Sequence, residues 1–264
     1  MVEGRGTQGG ERILYLFTAK GTFATEGGSG TEQPVYGWPL AEVDEIPTVT
    51  IDVEGGNRAG LVSPGELEGL IGASPRSLKI ARIQDQPTSD PLARTFMRLR
   101  NQVTFKYSPV NGEKVSYEAD GRFGYDQSGN EVFPRLDPAV IGLVTMGEKL
   151  LLTRKPGRDY YSLVAGYVEP GETIEDAFTR EVLEETGRRV KNSRYVMSAP
   201  WAATGSLMLG MHAETTDSEA VSPTDGELEE TRWVTRSEVL SGRVPLTGRG
   251  SLARTLIDRW SDVG

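Results

Sequence analysis

The stretch from Gly166 to Gly187 limits what this chain can be more than any other. Thr173 has the character of an N-cap, and Asp176 stands three residues on in capping-box spacing. Gly187 suits the position just past the end of a helix. Between them Ile174, Ala177 and Phe178 mark one helical stripe. The same stripe, continued, meets Glu181, Glu184 and Glu185. A face that begins apolar therefore ends in carboxylates.

Charge runs are usually solvated faces, and a helix whose last turns leave the core is the plain alternative. Two features weigh against it here. Negative charge at a helix C-terminus is opposed by the helix dipole, and glutamates sharing a face repel one another. Within the helix only Arg180 is close enough in sequence to compensate. A divalent cation resolves both conflicts, and an all-carboxylate donor set selects Mg²⁺ or Mn²⁺ over zinc.

Gly166, Glu172, Arg180-Glu181-Val182, Glu184-Glu185 and Gly187 together resemble the Nudix box. One position departs from that pattern. Arg188 follows the last glycine where the family has an aliphatic residue, at a place that packs and does not react.

The chain of 264 residues is long enough for two modest domains. No run approaches the ~20 apolar residues needed to span a bilayer, and the polar, glycine-rich opening does not read as a secretory signal. Absence of cysteine excludes disulfides and thiolate metal sites. The single histidine, His212, falls in an expected strand and reads as a core or surface residue. A net charge of −9 argues against a long nucleic-acid track. It leaves a small phosphorylated substrate bridged by metal open.

Residues 1–11 are expected to be a flexible tail, and 12–102 a small α+β domain. Its expected strands are Ile13–Thr18, Tyr36–Leu40, Thr48–Val53 and Leu78–Ile83, with Gly21–Gly30 a long loop. Ser63-Pro64-Gly65-Glu66 opens a short helix, and Asp90 caps a second with Leu92, Phe96 and Leu99 on one face. Residues 103–135 contain turns at Asn111-Gly112 and Ser128-Gly129. Residues 136–264 hold expected strands at Ala139–Val144, Lys149–Thr153, Arg194–Ser198, Leu207–Ala213 and Trp233-Val234, with Tyr161–Ala165 leading into the box. Thr235 and Ser251 cap two further helices.

Further stretches resemble the NADH pyrophosphatase branch of the family. Tyr161 to Glu172 is similar to its box entry, and Ser198, Pro200, Trp201 and Ser206 keep parts of its Ser-Gln-Pro-Trp-Pro-Phe-Pro-x-Ser signature. Glu227 matches a further metal-binding glutamate, and Ser251-Leu252-Ala253-Arg254 resembles the start of its last helix. That branch carries a four-cysteine zinc ribbon, and here Lys106, Pro109, Tyr125 and Ser128 stand where the cysteines would. Residues 103–135 are thus expected to be a degenerate, metal-free ribbon. The signature's Gln, Phe and two prolines have become Ala199, Ala203, Ala202 and Thr204, in that order. This is either loop drift or a pocket widened for a different dinucleotide.

The resemblance implies an α+β chain ending in a Nudix α/β/α sandwich with a mixed sheet. It implies metal-dependent hydrolysis of an NAD(H)-type pyrophosphate to NMN and AMP, or the same cleavage of a modified dinucleotide in a specialised pathway. Removal of NAD caps from RNA and non-catalytic nucleotide sensing are further alternatives. Glu181, Glu184, Glu185 and Arg180 are the implied catalytic residues; Ala165, Glu181, Glu184, Glu185 and Glu227 are the implied ligands of Mg²⁺ or Mn²⁺, with no zinc. Phe133, Tyr167, Ser198, Ala199, Pro200, Trp201, Ser206 and Ala253 are the implied substrate contacts. A homodimer, cytoplasmic and without membrane contact, completes the expectation.

Overall fold

A computed structural model describes residues 12–26, 35–43, 45, 47–85 and 91–262. The expected tail over 1–11, the Asp90 cap and the later part of the Gly21–Gly30 loop lie outside the described residues. The chain divides into two compact units, Met1–Leu136 with Ala202–Gly205, and Asp137–Trp201 with Ser206–Gly264.

The first unit contains β1 (Ile13–Thr18), β2 (Thr22–Thr25), β3 (Gly37–Pro39), β4 (Thr50–Val53), β5 (Asn57–Val62), α1 (Pro64–Ala73), β6 (Lys79–Arg82) and α2 (Pro91–Thr104). The sheet runs β4-β5-β1-β2-β6, with β3 also on β1; β1 and β5 are parallel and the other pairs antiparallel. Strand β2 replaces the start of the expected loop. Its four residues are too few to show a period, but Phe23 and Ala24 are fully buried and Phe23 packs edge-on against Phe17. Tertiary pairing, not local pattern, makes this strand. Ser63 and Glu66 form a reciprocal capping box at the head of α1.

Residues 103–135 carry β7 (Ser116–Tyr117), β8 (Gly124–Tyr125) and β9 (Glu131–Val132), an antiparallel sheet of their own. Carboxylates brace its two turns. Asp126 accepts from Asn130 N at 2.8 Å and Asn130 Nδ2 at 2.9 Å, and Glu113 accepts from Ser128 N at 2.7 Å and Ser128 Oγ at 2.9 Å. Burial works against the Asp126 carboxylate, yet hydrogen bonds from Asn130, Ser108 and Asn111 hold its pKa below the ordinary value.

The second unit contains β10 (Asp137–Met146), β11 (Lys149–Arg154), β12 (Val164–Tyr167), α3 (Ile174–Thr186), β13 (Lys191–Trp201), β14 (Ser206–Glu214), β15 (Glu230–Thr235), α4 (Arg236–Leu240) and α5 (Leu252–Asp262). Its mixed sheet runs β13-β14-β10-β11-β15, with β12 also on β10. Only β10 and β14 are parallel, in register from Asp137↔Ser206 to Thr145↔Glu214. Alternation along β10 sorts side chains to two faces. Val140 and Val144 join Ala177, Phe178 and Val182 of α3, whereas Ile141 and Leu143 join Leu252, Leu256 and Ile257 of α5. The result is the expected α/β/α sandwich. Burying Phe178 completely contributes about 2–3 kcal/mol, enough to fix which face of α3 meets the sheet.

Candidate active site

Helix α3 is positioned at both ends by its own sequence. Thr173 Oγ1 accepts from Asp176 N at 3.1 Å, and Gly187 closes the helix in the left-handed region at φ 66°. The stripe that buries Ala177 and Phe178 carries Glu181 and Glu185 inward with it. Glu185 is only 3% exposed, while Glu184 is exposed. A solvated helix face is therefore not what the last turns form.

Glu181 lies directly against β12. A Cβ added to Gly166 would come within 1.9 Å of the Glu181 carboxylate carbon. The glycine at this position thus serves close approach: only a backbone without a side chain leaves room for the acid. Ala165 is the residue before it on β12, opposite Ile141 of β10.

Arg180 ties together much of the cluster. Its guanidinium donates to Glu172 at 2.7 and 3.0 Å, Glu181 at 2.8 Å, Glu184 at 2.9 Å and the Tyr167 carbonyl at 3.0 Å. The two-pronged contact and the Glu169 backbone N–H hold Glu172 down to about pKa 2. In return Glu172, followed by the other glutamates, raises the Arg180 pKa further above its ordinary value. Glu172, a feature of the box in sequence, thereby acquires a specific task as the fixed anchor for Arg180.

The other cation is Lys155, just past the end of β11. Its Nζ lies 2.9 Å from Glu227 and 3.3 Å from Glu185. Burial works against this ammonium, yet the two carboxylates keep its pKa above the ordinary lysine value. Glu227 is correspondingly lowered by Lys155. Sequence reasoning misses Lys155, because its acidic partners lie far along the chain and no local spacing marks it.

Burial dominates the remaining electrostatics. It raises Glu181 despite Arg180, and it pushes Glu185 up to about pKa 7, with Glu181 and Glu227 adding repulsion. Both Glu185 oxygens are buried without a hydrogen-bond partner of good geometry. A buried acid so poorly satisfied, beside other carboxylates, fits a hard divalent cation. Glu181, Glu184, Glu185 and Glu227 would hold it. Among the described residues no three acidic or histidine side chains already converge on a common metal position. Instead Arg180 and Lys155 compensate the charge.

The expected substrate contacts fall on several elements. Tyr167 is exposed on β12 and joins the cluster through its carbonyl. Ser198 is exposed on β13 and accepts from Tyr195 Oη at 3.2 Å. Pro200 and Trp201 pair with Leu207 and Ser206 at the end of the β13–β14 hairpin. Ala199 and Ala253 are buried in the core with Leu256, and Ser206 is buried as well. Phe133 belongs to the first unit, where it is exposed and 5.9 Å from the Phe123 ring. His212 takes no part in the cluster. Its Nδ1 meets Arg194 at 2.7 Å and its Nε2 meets Thr145 Oγ1 at 2.9 Å, and burial, then Arg194, lowers its pKa.

Residues 135–255 match the NUDIX domain model. The chain is 35% identical over 202 residues to "NAD-capped RNA hydrolase NudC" of Mycobacterium bovis, covering 69% of this chain and 63% of that protein. It is 43% identical over 134 residues to a protein of the same name from Pseudomonas aeruginosa, covering 50% and 46%. The chain thus spans less than two thirds of the length of these curated relatives. A crystal structure of a NUDIX hydrolase from Nitrosomonas europaea aligns with 60% of this chain and 91% of its own, at 18% identity and a TM-score of 0.47.

Proposed function

We propose that this chain, whose residues 135–255 match the NUDIX domain model, is a pyrophosphohydrolase that cleaves NAD(H)-type dinucleotides to AMP and NMN, or to reduced NMN when the substrate is NADH. The observation that carries this reading is the carboxylate cluster of α3. Its buried member Glu185 has no hydrogen-bond partner of good geometry, only Lys155 Nζ at 3.3 Å, and Glu181 is seated against Gly166. Glu181, Glu184, Glu185 and Glu227 would hold Mg²⁺ or Mn²⁺, with the Ala165 carbonyl as a further donor. The cation, when bound, supplies Lewis-acid compensation for charge developing on the pyrophosphate.

The protein groups divide the remaining work. Water adds to one phosphorus, the bridging P–O bond breaks, and the proton released by water passes to a carboxylate. Glu184, the exposed one of the three α3 glutamates, is the acceptor in this reading. Arg180, clamped by Glu172, keeps Glu181 and Glu184 oriented. Tyr167 and Phe133 offer flat apolar rings for the nicotinamide, and Ser198, Ala199, Pro200, Trp201, Ser206 and Ala253 border the same substrate. The burial of Ala199 and Ala253 limits them to backbone contact. In this reading Phe133 acts across a homodimer, residues 103–135 are a ribbon without zinc, and the protein works in the cytoplasm. Among the described residues no helix is long and apolar enough to cross a membrane.

A second substrate is favoured by the names of the relatives, which are called NAD-capped RNA hydrolases. The bond broken would be the same. Incubation with Mg²⁺ and NADH, NAD⁺ or a 5′-NAD transcript, followed by chromatography of NMN and AMP or of the shortened cap, separates the cases. Metal-dependent NMN release from free dinucleotide is expected. Turnover confined to the transcript would move the function to RNA, and turnover of none would turn attention to modified dinucleotides.

Gly166→Ala provides an independent check on the cluster. Its methyl group would collide with the Glu181 carboxylate, so turnover should fall at least ~10-fold, a barrier increase of about 1.4 kcal/mol. Unchanged turnover in a folded variant would show that the seat of Glu181 is irrelevant.

A further inference from the structure

Arg188 is the residue that departs from the box pattern, and it is buried at 5% exposure. A charged side chain in that position needs a reason, because burial is unfavourable for a guanidinium and lowers its pKa. Its contacts supply one. Nη1 donates to the Thr186 carbonyl at 3.0 Å, Nη2 donates to the Ser218 carbonyl at 3.2 Å, and the guanidinium sits 5.8 Å from the Trp233 ring centre. Trp233 Nε1 donates to the same Ser218 carbonyl at 2.9 Å. Two buried or half-buried donors thus converge on one backbone oxygen of the acidic loop between β14 and β15.

The contacts continue along that loop toward Glu227. Arg189 pairs with Asp217 at 3.1 Å. Val221 N donates to the Gly187 carbonyl at 2.8 Å, and Asp225 N to the Glu184 carbonyl at 2.9 Å. Glu227 N then donates to Asp225 Oδ1 at 2.9 Å. The loop is therefore laid against the C-terminal turn of α3, whose otherwise unsatisfied carbonyls it caps. Glu227 is the end of this run.

We propose that Arg188 is a positioning residue: by fixing the Ser218 carbonyl together with Trp233, it holds the 215–229 loop so that Glu227 faces Glu185. An aliphatic residue would be apolar in the same place but leave the carbonyl to Trp233 alone. The inference rests on the reading of Glu227 as part of the cation site, and its test separates the two.

The variants are Arg188→Leu, and Trp233→Phe as a milder loss of the other donor. Mn²⁺ binding is followed by the electron paramagnetic resonance of the free ion, and amide exchange of 215–229 by mass spectrometry on metal-free protein. Arg188→Leu is expected to leave the unfolding temperature close to that of the parent, since removal of a buried charge is offset by the donor lost to the Thr186 carbonyl. It should also weaken Mn²⁺ binding roughly 10-fold, about 1.4 kcal/mol, and speed exchange in the loop. Trp233→Phe should do the same to a smaller extent, and Arg188→Lys should restore part of the binding. Wild-type exchange rates in both variants would overturn the proposal, as would unaltered Mn²⁺ affinity in Arg188→Leu. If wild-type protein itself binds no Mn²⁺, the cation-site reading fails, while faster exchange in the variants still upholds the anchor.

Discussion

Glu185→Gln is expected to cost the enzyme ~10²–10³-fold in turnover and yet make the metal-free protein harder to unfold at pH 8. The two effects have one origin. Burial, with repulsion from Glu181 and Glu227, raises the Glu185 pKa to about 7 from an ordinary 4.5. Below pH 4.5 the carboxyl is protonated in both folded and unfolded chains and contributes nothing to the balance. Between 4.5 and about 7 the unfolded chain loses the proton first, so the folded state is progressively disfavoured. Above pH 7 the full penalty applies, on the order of 3 kcal/mol. Glutamine has no charge to desolvate. The unfolding temperature of the variant should therefore exceed that of the parent at pH 8 and match it near pH 4. A lower value at pH 8 would mean that the contact with Lys155 outweighs burial, and the account of a strained acid would be wrong.

Lys155→Met should act in the opposite sense. It removes the ammonium from Glu185 and Glu227 and leaves the buried Glu185 facing other carboxylates. Loss of one partner of a buried pair is costly, but the Lys155 side chain is 52% exposed, so solvent screens part of the loss. A destabilisation of about 1–3 kcal/mol is expected without metal. Mg²⁺ should restore most of it, because a bound ion stabilises by mass action. Mn²⁺ should also bind several-fold more tightly, since no ammonium has to leave the carboxylates. Scanning calorimetry with and without Mg²⁺, paired with a Mn²⁺ titration, checks both halves. Weaker Mn²⁺ binding in the variant would assign Lys155 to supporting the ion and not to standing in its place.

Local signals make α3 legible in the sequence. Thr173, the Ala177–Phe178 stripe and Gly187 each act within a few residues, and together they set the helix and the face it buries. The capping boxes at Ser63 and Thr235 are legible for the same reason. Features made by distant partners are not. Strand β2 exists because Phe23 meets Phe17 and Ala81, and Lys155 matters because Glu227 reaches it from the approach to another strand. Ala199 shows a related limit. Exchange of a large residue for a small one suggests a wider pocket, but this methyl group is enclosed in the core. Arg188 is legible as a packing position, whereas its hold on Ser218 is not.

The parallel pairing of β10 with β14 also imposes an order on the chain's birth. Helix α3 is complete once residue 186 has been made, but β10 must wait for residues 206–214 before its long parallel partner exists. Until then Val140, Ile141, Leu143 and Val144 have an unfilled edge beside them, and the glutamates of α3 have neither their loop nor Glu227. Non-local parallel pairing is slow to form and exposes apolar strands meanwhile. The carboxylates of the proposed cation site thus also keep its helix charged through the interval when its sheet is unfinished.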